Sequence, residues 1–335
     1  MLPSTMPSFK VYRGSPDGIK ESTTTKPDLT GDQVLVKITA SGLCGTDLHY
    51  KKADIVLGHE GVGVVEELGP GVRHLKKGDR VGWGYLHDSC GICDECLQGQ
   101  ETYCPERKFY GEADLDQGSF AEAAVWREAF LFKVPDALTD EEAAPLNCGG
   151  ATVWTALHKY GVPADATVGV LGVGGLGHLA IQFASKMGMN VVVLSHSDSK
   201  KDEAMQLGAH RFVATKGATK LDIGPSKLNA LLITSSVPLE WDLYLPILHA
   251  EAIIFPITVD FGDFRIPAMP LIASGLRVQG TVVAARYEHI KMLEFAAEHG
   301  IKPIMMHFPL NKEGIEESMK TLEEGKMRYR GVLKP

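Results

Sequence analysis

From about residue 151 the chain repeats one pattern, a short unbroken apolar run followed by a stretch with helical periodicity. The apolar runs are VGVLGV, NVVVLS, NALLITSS and AEAIIFPITV, with GHLAIQFASKMG and KKDEAMQLGAH as helical stretches among them. Runs without a polar face predict strands buried on both sides, and their alternation with helices predicts a parallel, doubly wound sheet. Residues 1 to about 150 read differently. Here QVLVKITASG, GHEGVGVVEELGPGV and KKGDRVGWGY interleave β-branched residues with Gly, Pro and Asp, which predicts a mostly β half. Past about residue 285, YEHIKMLEFAAEHG predicts a helix, and HFPLNKEGIEESMKTLEEGK a strand or loop and a second helix. That tail is free to return to the first half.

A length of 335 residues suits two domains with a sizeable core, so the fold does not depend on disulfides. The formal net charge of -8 and the absence of a basic stripe argue against a nucleic-acid or acidic-membrane partner. No apolar run is long enough to span a bilayer, and the first residues lack the basic-then-apolar order of a secretion signal. The expectation is a soluble, cytoplasmic protein acting on a small molecule. In a reducing compartment, clustered cysteines bind metal or do redox chemistry more often than they pair.

Four of the six cysteines fall in SCGICDECLQGQETYC as Cys90, Cys93, Cys96 and Cys104, the spacing C-x2-C-x2-C-x7-C. Four thiolates so placed can surround one tetrahedral ion at about 2.3 Å from each sulfur, which suits zinc. An iron–sulfur cluster and a redox pair drawn from Cys90, Cys93 and Cys96 are the other options. A zinc held by four thiolates has no open position, so this site is expected to be structural. Cys44, in SGLCGTDLHY, and Cys148, in APLNCGGATVW, have no local partner, and His59 and Glu60 lie between glycines in LGHEGVGVV. Two thiolates and an imidazole make a zinc set with a fourth position open, whereas each residue alone reads as ordinary core. In VGVLGVGGLGHLAIQ, Gly172, Gly174 and Gly177 form G-x-G-x-x-G around Gly175 and Leu176, directly after an apolar run and before a helical one. That context is a dinucleotide turn: a tight bend, a close approach to pyrophosphate, and a helix packed on a strand with its N-terminus toward the phosphates.

Taken in order, C-G-T-D-x-H at 44–49, G-H-E-G at 58–61, the four-cysteine lobe, L-x-C-x-G-x-T at 146–152 and the glycine turn resemble the zinc-dependent medium-chain alcohol dehydrogenases. The resemblance covers essentially the whole chain and is nearest the yeast-type and cinnamyl-alcohol-type branches. It implies an α/β protein with a GroES-like catalytic domain over 1–150, joined by a C-terminal return over 286–335, and a Rossmann coenzyme domain over 151–285. It also implies two zinc ions, one catalytic on Cys44, His59 and Cys148 with Glu60 able to approach the metal, one structural on the four-cysteine lobe. Asp47 matches the carboxylate that orients the ligand histidine, since a hydrogen bond to the far nitrogen fixes the tautomer. Thr46 matches the hydroxyl that takes the substrate proton and His49 the base that passes it to solvent. Thr152 and Arg330 match cofactor contacts, Arg330 at the pyrophosphate. The acidic residue that meets the ribose of NAD in relatives falls on Ser195. With Ser197 and Lys200 nearby and no carboxylate to repel a 2′-phosphate, the implied cofactor is NADP(H), although Asp198 in a shifted loop would favour NAD(H).

The implied activity is interconversion of an alcohol and an aldehyde or ketone, working as an aldehyde reductase, by a homodimer or homotetramer. A polyol dehydrogenase, a reductase of conjugated C=C bonds and a catalytically silent zinc- and dinucleotide-binding redox sensor are the alternatives. The chain also departs from relatives. Only eight residues separate His49 from Gly58, HAEA stands at 249–252 where relatives often have P-G-G, and AAR followed by Tyr287 replaces a G-S-R or G-T-R pattern. Tyr85, Leu86 and Trp154 are pocket candidates by position, and core residues by type.

Overall fold

The computed structural model describes residues 6–236, 238–259 and 262–335. The chain forms two compact units, one from residues 1–151 and 283–335, the other from residues 152–282.

The first unit is built on a sheet whose central member is the long strand Gln33–Leu43. Gly61–Leu68 pairs antiparallel along most of it, and Arg80–Trp83 continues the sheet outward. On its other side Arg330–Lys334 pairs antiparallel with its C-terminal end and parallel with Met305–Pro309, so the C-terminal tail is part of this sheet. Packing holds the return in place. Leu43, Leu57, Tyr110 and Phe120 form one buried cluster with Phe308, Ile315, Met319 and Leu333 of the tail. Each large apolar side chain so buried contributes roughly 1.5–3 kcal/mol.

The second unit is a six-stranded parallel sheet. Its order is Arg211–Ala214, Asn190–Ser195, Thr167–Leu171, Leu228–Ile233, Leu248–Pro256 and Arg277–Val278. The first strand in sequence, Thr167–Leu171, is buried at every position and sits where the winding direction reverses. That reversal is where doubly wound sheets bind their ligands. The HAEA segment does not form a turn before a strand. It lies within Leu248–Pro256 as an irregularity, with Leu228 opposite Leu248 but Ala230 opposite Ile253, and Glu251 takes a φ of 62°. Among the described residues no helix is long and apolar enough to cross a membrane.

Candidate active site and metal centres

Strand register assembles the first site. Ser41 lies opposite Gly61, and Leu43 opposite Gly331. The residues just beyond those pairs, Cys44, His59, Glu60 and Arg330, therefore meet at one end of the sheet. Cys44 caps the short helix Gly45–Tyr50, its sulfur accepting from the Thr46 N–H at 3.3 Å. Cys148 arrives from a different part of the chain, on the π-turn Leu146–Gly150. The donor atoms of Cys44, His59, Glu60 and Cys148 all lie within 4.8 Å of one another, with Cys44 Sγ 3.2 Å from His59 Nε2.

Asp47 fixes the histidine. Its Oδ1 accepts from His59 Nδ1 at 3.1 Å while its Oδ2 accepts from the Cys44 N–H at 3.0 Å, so one buried carboxylate ties both ligand segments together. Nε2 is left pointing at the thiols, as a ligand histidine requires. Tyr110, 1% exposed, donates to Asp47 Oδ1 at 3.1 Å and accepts from the Gly58 N–H at 2.9 Å. Gly42 makes room behind Glu60, since a Cβ there would lie 1.9 Å from Glu60 Oε2.

The protonation of this cluster follows from its crowding. A hydrogen bond from Cys148, with the charges of His59 and Arg330, holds the Cys44 thiol well below its ordinary value. Cys148 shifts the opposite way, raised by that same bond and by burial. Burial works against a charged His59, but Asp47 and Cys44 outweigh it and raise its pKa. Burial lifts Glu60 to about 7 despite Arg330. Glu60 Oε2 has no hydrogen-bond partner. Two sulfurs, an imidazole nitrogen and a carboxylate oxygen within 4.8 Å of one another are a donor set that a zinc ion fits, with protons released on binding.

Thr46 and His49, three residues apart, share a face of the same helix; Thr46 is half-buried and His49 exposed. Arg330 is buried with its guanidinium on Glu60. Of the pocket candidates, Tyr85 abuts the metal-site histidine edge-on, 5.6 Å between ring centroids. Trp154 instead packs on His158 and Phe183 in the interior of the second unit.

The second cluster is made within one loop. Cys90, Cys93, Cys96 and Cys104 bring their sulfurs within 4.8 Å of one another, with Cys90 Sγ 4.0 Å from Cys96 and 3.6 Å from Cys104. A tetrahedron with sulfurs about 2.3 Å from zinc has edges of about 3.8 Å, so the lobe has the right size. N–H groups of Ile92 and Cys93 pull the Cys90 thiol down to about 7, favouring the thiolate a metal needs. None of the six cysteines is in a disulfide.

In the second unit, Gly172 turns with a φ of 100°, open space surrounds Gly174, and a Cβ on Gly177 would lie 1.9 Å from the Gly172 carbonyl oxygen. The cradle at Gly174 and the N-terminus of Gly177–Lys186 fit a pyrophosphate, with Gly175 and Leu176 completing the turn. Thr234 Oγ1 braces the turn on the carbonyls of Leu171 and Gly172 at 2.9 and 3.0 Å. Ser195 ends its strand half-buried, Ser197 lies 3.0 Å from Ser199 Oγ, and Lys200 Nζ donates to the Val173 carbonyl at 2.7 Å. Thr152 is buried in the helix Ala151–His158. Tyr110 and the Arg330–Glu60 pair were not legible in the sequence, because no spacing ties them to the ligands they support.

Residues 30–136 match the alcohol dehydrogenase GroES-like domain and residues 175–298 the zinc-binding dehydrogenase domain. The chain belongs to the zinc-binding alcohol dehydrogenase family, and is an enzyme of alcohol oxidoreduction. It is 38% identical over 322 residues to an alcohol dehydrogenase of Geobacillus stearothermophilus, covering 92% of this chain and 94% of the relative. Its fold matches a cinnamyl alcohol dehydrogenase of Sorghum bicolor with a TM-score of 0.88 at 31% identity, covering 98% of both chains. The Helicobacter pylori cinnamyl alcohol dehydrogenase complexed with NADP(H) matches with a TM-score of 0.88 at 25% identity, over 98% of this chain and 99% of that one.

Proposed function

We propose that this enzyme is an NADPH-dependent aldehyde reductase with a catalytic zinc on Cys44, His59 and Cys148 and a structural zinc on Cys90, Cys93, Cys96 and Cys104. The meeting of two thiols, one imidazole and Glu60 around a single point carries the reading. When bound, zinc supplies a Lewis acid that polarises the carbonyl oxygen, and the nicotinamide supplies the hydride. The chain's own residues do the rest. Asp47 fixes the tautomer and direction of His59, and Glu60, neutral or charged near pH 7, tunes the charge beside the ligands. Thr46 offers its hydroxyl from the helix that begins at Cys44, and His49 on the same face exchanges the proton with solvent.

Support for NADP(H) comes from Ser195 at the end of its strand, where no carboxylate faces a 2′-phosphate, and from Ser197 and Lys200 in the next turn. Lys200 is held toward the glycine turn by Val173. The complete Cys44, His59 and Cys148 set speaks against a silent binder, which has no need of an open metal position. A homodimer or homotetramer is expected, and a sizing column tests it.

The test is to give the zinc-replete protein NADPH, and separately NADH, with aliphatic, aromatic and α,β-unsaturated aldehydes, and to identify the products. Alcohols formed faster with NADPH support the proposal. Saturated aldehydes would move the assignment to conjugate reduction, and preference for NADH would overturn the cofactor assignment. Ser195→Asp should raise the NADH-to-NADPH ratio of kcat/KM by about 10–100-fold, because it adds a carboxylate opposite the 2′-phosphate.

A further inference from the structure

The helix Arg286–His299, in the C-terminal return, touches the segments of both cysteine clusters with its first turn. Arg286 donates from Nε and Nη2 to Glu101 Oε1, each at 2.8 Å, and its guanidinium lies 5.4 Å over the Phe130 ring. Glu101 stands between Cys96 and Cys104 with a side chain only 4% exposed. Within the same turn, His289 Nε2 donates to Asn147 Oδ1 at 2.9 Å. The imidazole is stacked on Phe132, with centroids 4.0 Å and planes 16° apart, so its direction is fixed.

Asn147 precedes the ligand Cys148 and is wholly buried. It is gripped from two sides, since its Nδ2 also donates to the Gly61 carbonyl at 3.0 Å, next to Glu60. The opposing strand makes space for this bridge. A Cβ on Gly82 would come within 2.7 Å of Asn147 Nδ2, and one on Gly84 within 2.4 Å of the Asn147 carbonyl oxygen. Burial takes His289 down to about 3, so the ring stays neutral at working pH with a single N–H to give. A histidine that only filled space here would be replaceable by an apolar side chain at little cost. A histidine that holds Asn147 would not be, because Asn147 immediately precedes Cys148 on the π-turn Leu146–Gly150 and its side chain carries the turn's contacts to His289 and Gly61.

We infer that the first turn of this helix positions Cys148, with His289 holding the ligand's turn through Asn147 and Arg286 anchoring the same turn of helix to the four-cysteine lobe through Glu101. The inference rests on the proposed catalytic zinc site and assigns His289 and Asn147 as positioning residues for it. Partners that orient metal ligands are typically worth 10–100-fold in metal affinity or activity.

The experiment compares full-length wild type, His289→Met and His289→Gln, two replacements of similar volume of which the second alone carries an amide to donate to Asn147. Co(II) is exchanged into the catalytic site, and its thiolate charge-transfer and d–d absorption, its retention against a chelator, and kcat and KM for aldehyde reduction are recorded. For His289→Met the d–d pattern should change, with retention and kcat each falling about tenfold and KM moving less. His289→Gln should restore the wild-type spectrum, and Arg286→Ala should give the His289→Met change at smaller amplitude. A His289→Met protein with wild-type spectrum, retention and kcat overturns the inference, as does an equal defect in the Met and Gln variants. An unchanged spectrum in Arg286→Ala overturns the outer anchor. Cobalt confined to the four-cysteine lobe of the wild type would instead overturn the proposed function on which this inference stands.

Discussion

The two cysteine clusters solve one chemical problem by opposite routes. The four-cysteine lobe draws its candidate ligands from residues 90–104, where a helix of four residues and a single 3-10 turn are the regular structure between them. The other cluster draws its candidate ligands from positions 44, 59, 60 and 148, brought together by strand register and by a π-turn. A site made locally can be rigid and closed. A site made from distant segments can leave one side open, and it then needs supports such as Asp47 and Asn147 to keep its geometry.

The sharpest way to break this comparison is to remove one ligand from each cluster. Cys44→Ser should lower kcat/KM by roughly 10^3-fold or more while thermal stability changes little, and metal analysis should fall from two ions per chain to one. Cys104→Ala should do the reverse. Its folded fraction should keep aldehyde reduction within a few-fold of wild type at low temperature, but the melting temperature should fall by roughly 5–10 °C as the lobe loses its metal. If Cys104→Ala instead abolished catalysis without lowering the melting temperature, the division of labour would be wrong.

Smaller effects sharpen the picture. Asp47→Asn keeps the shape but loses the charge that directs His59 Nδ1, and is expected to cost about 10–100-fold in kcat/KM. Tyr110→Phe removes one donor to Asp47 and one acceptor for the Gly58 N–H, and should cost only about 1 kcal/mol of stability with kcat within about fivefold of wild type. An effect as large as that of Asp47→Asn would place Tyr110 among the residues that set the ligand geometry. Steady-state kinetics together with a thermal melt distinguishes these outcomes.

The sequence by itself determined the local features. Continuous apolar runs marked the parallel strands because a strand buried on both faces cannot carry polar side chains, and the glycine spacing marked the dinucleotide turn because only glycine turns and packs so closely. The four-cysteine spacing marked the lobe because neighbouring ligands fix their own distances. Tertiary structure alone decided that Arg330 pairs with Glu60, and that HAEA is an irregularity inside a strand. It also decided that Asn147 and His289, 142 residues apart, meet beside Cys148. Such contacts depend on which strand lies beside which and in what register, and a pairing between distant segments leaves no period or spacing in the chain to be read.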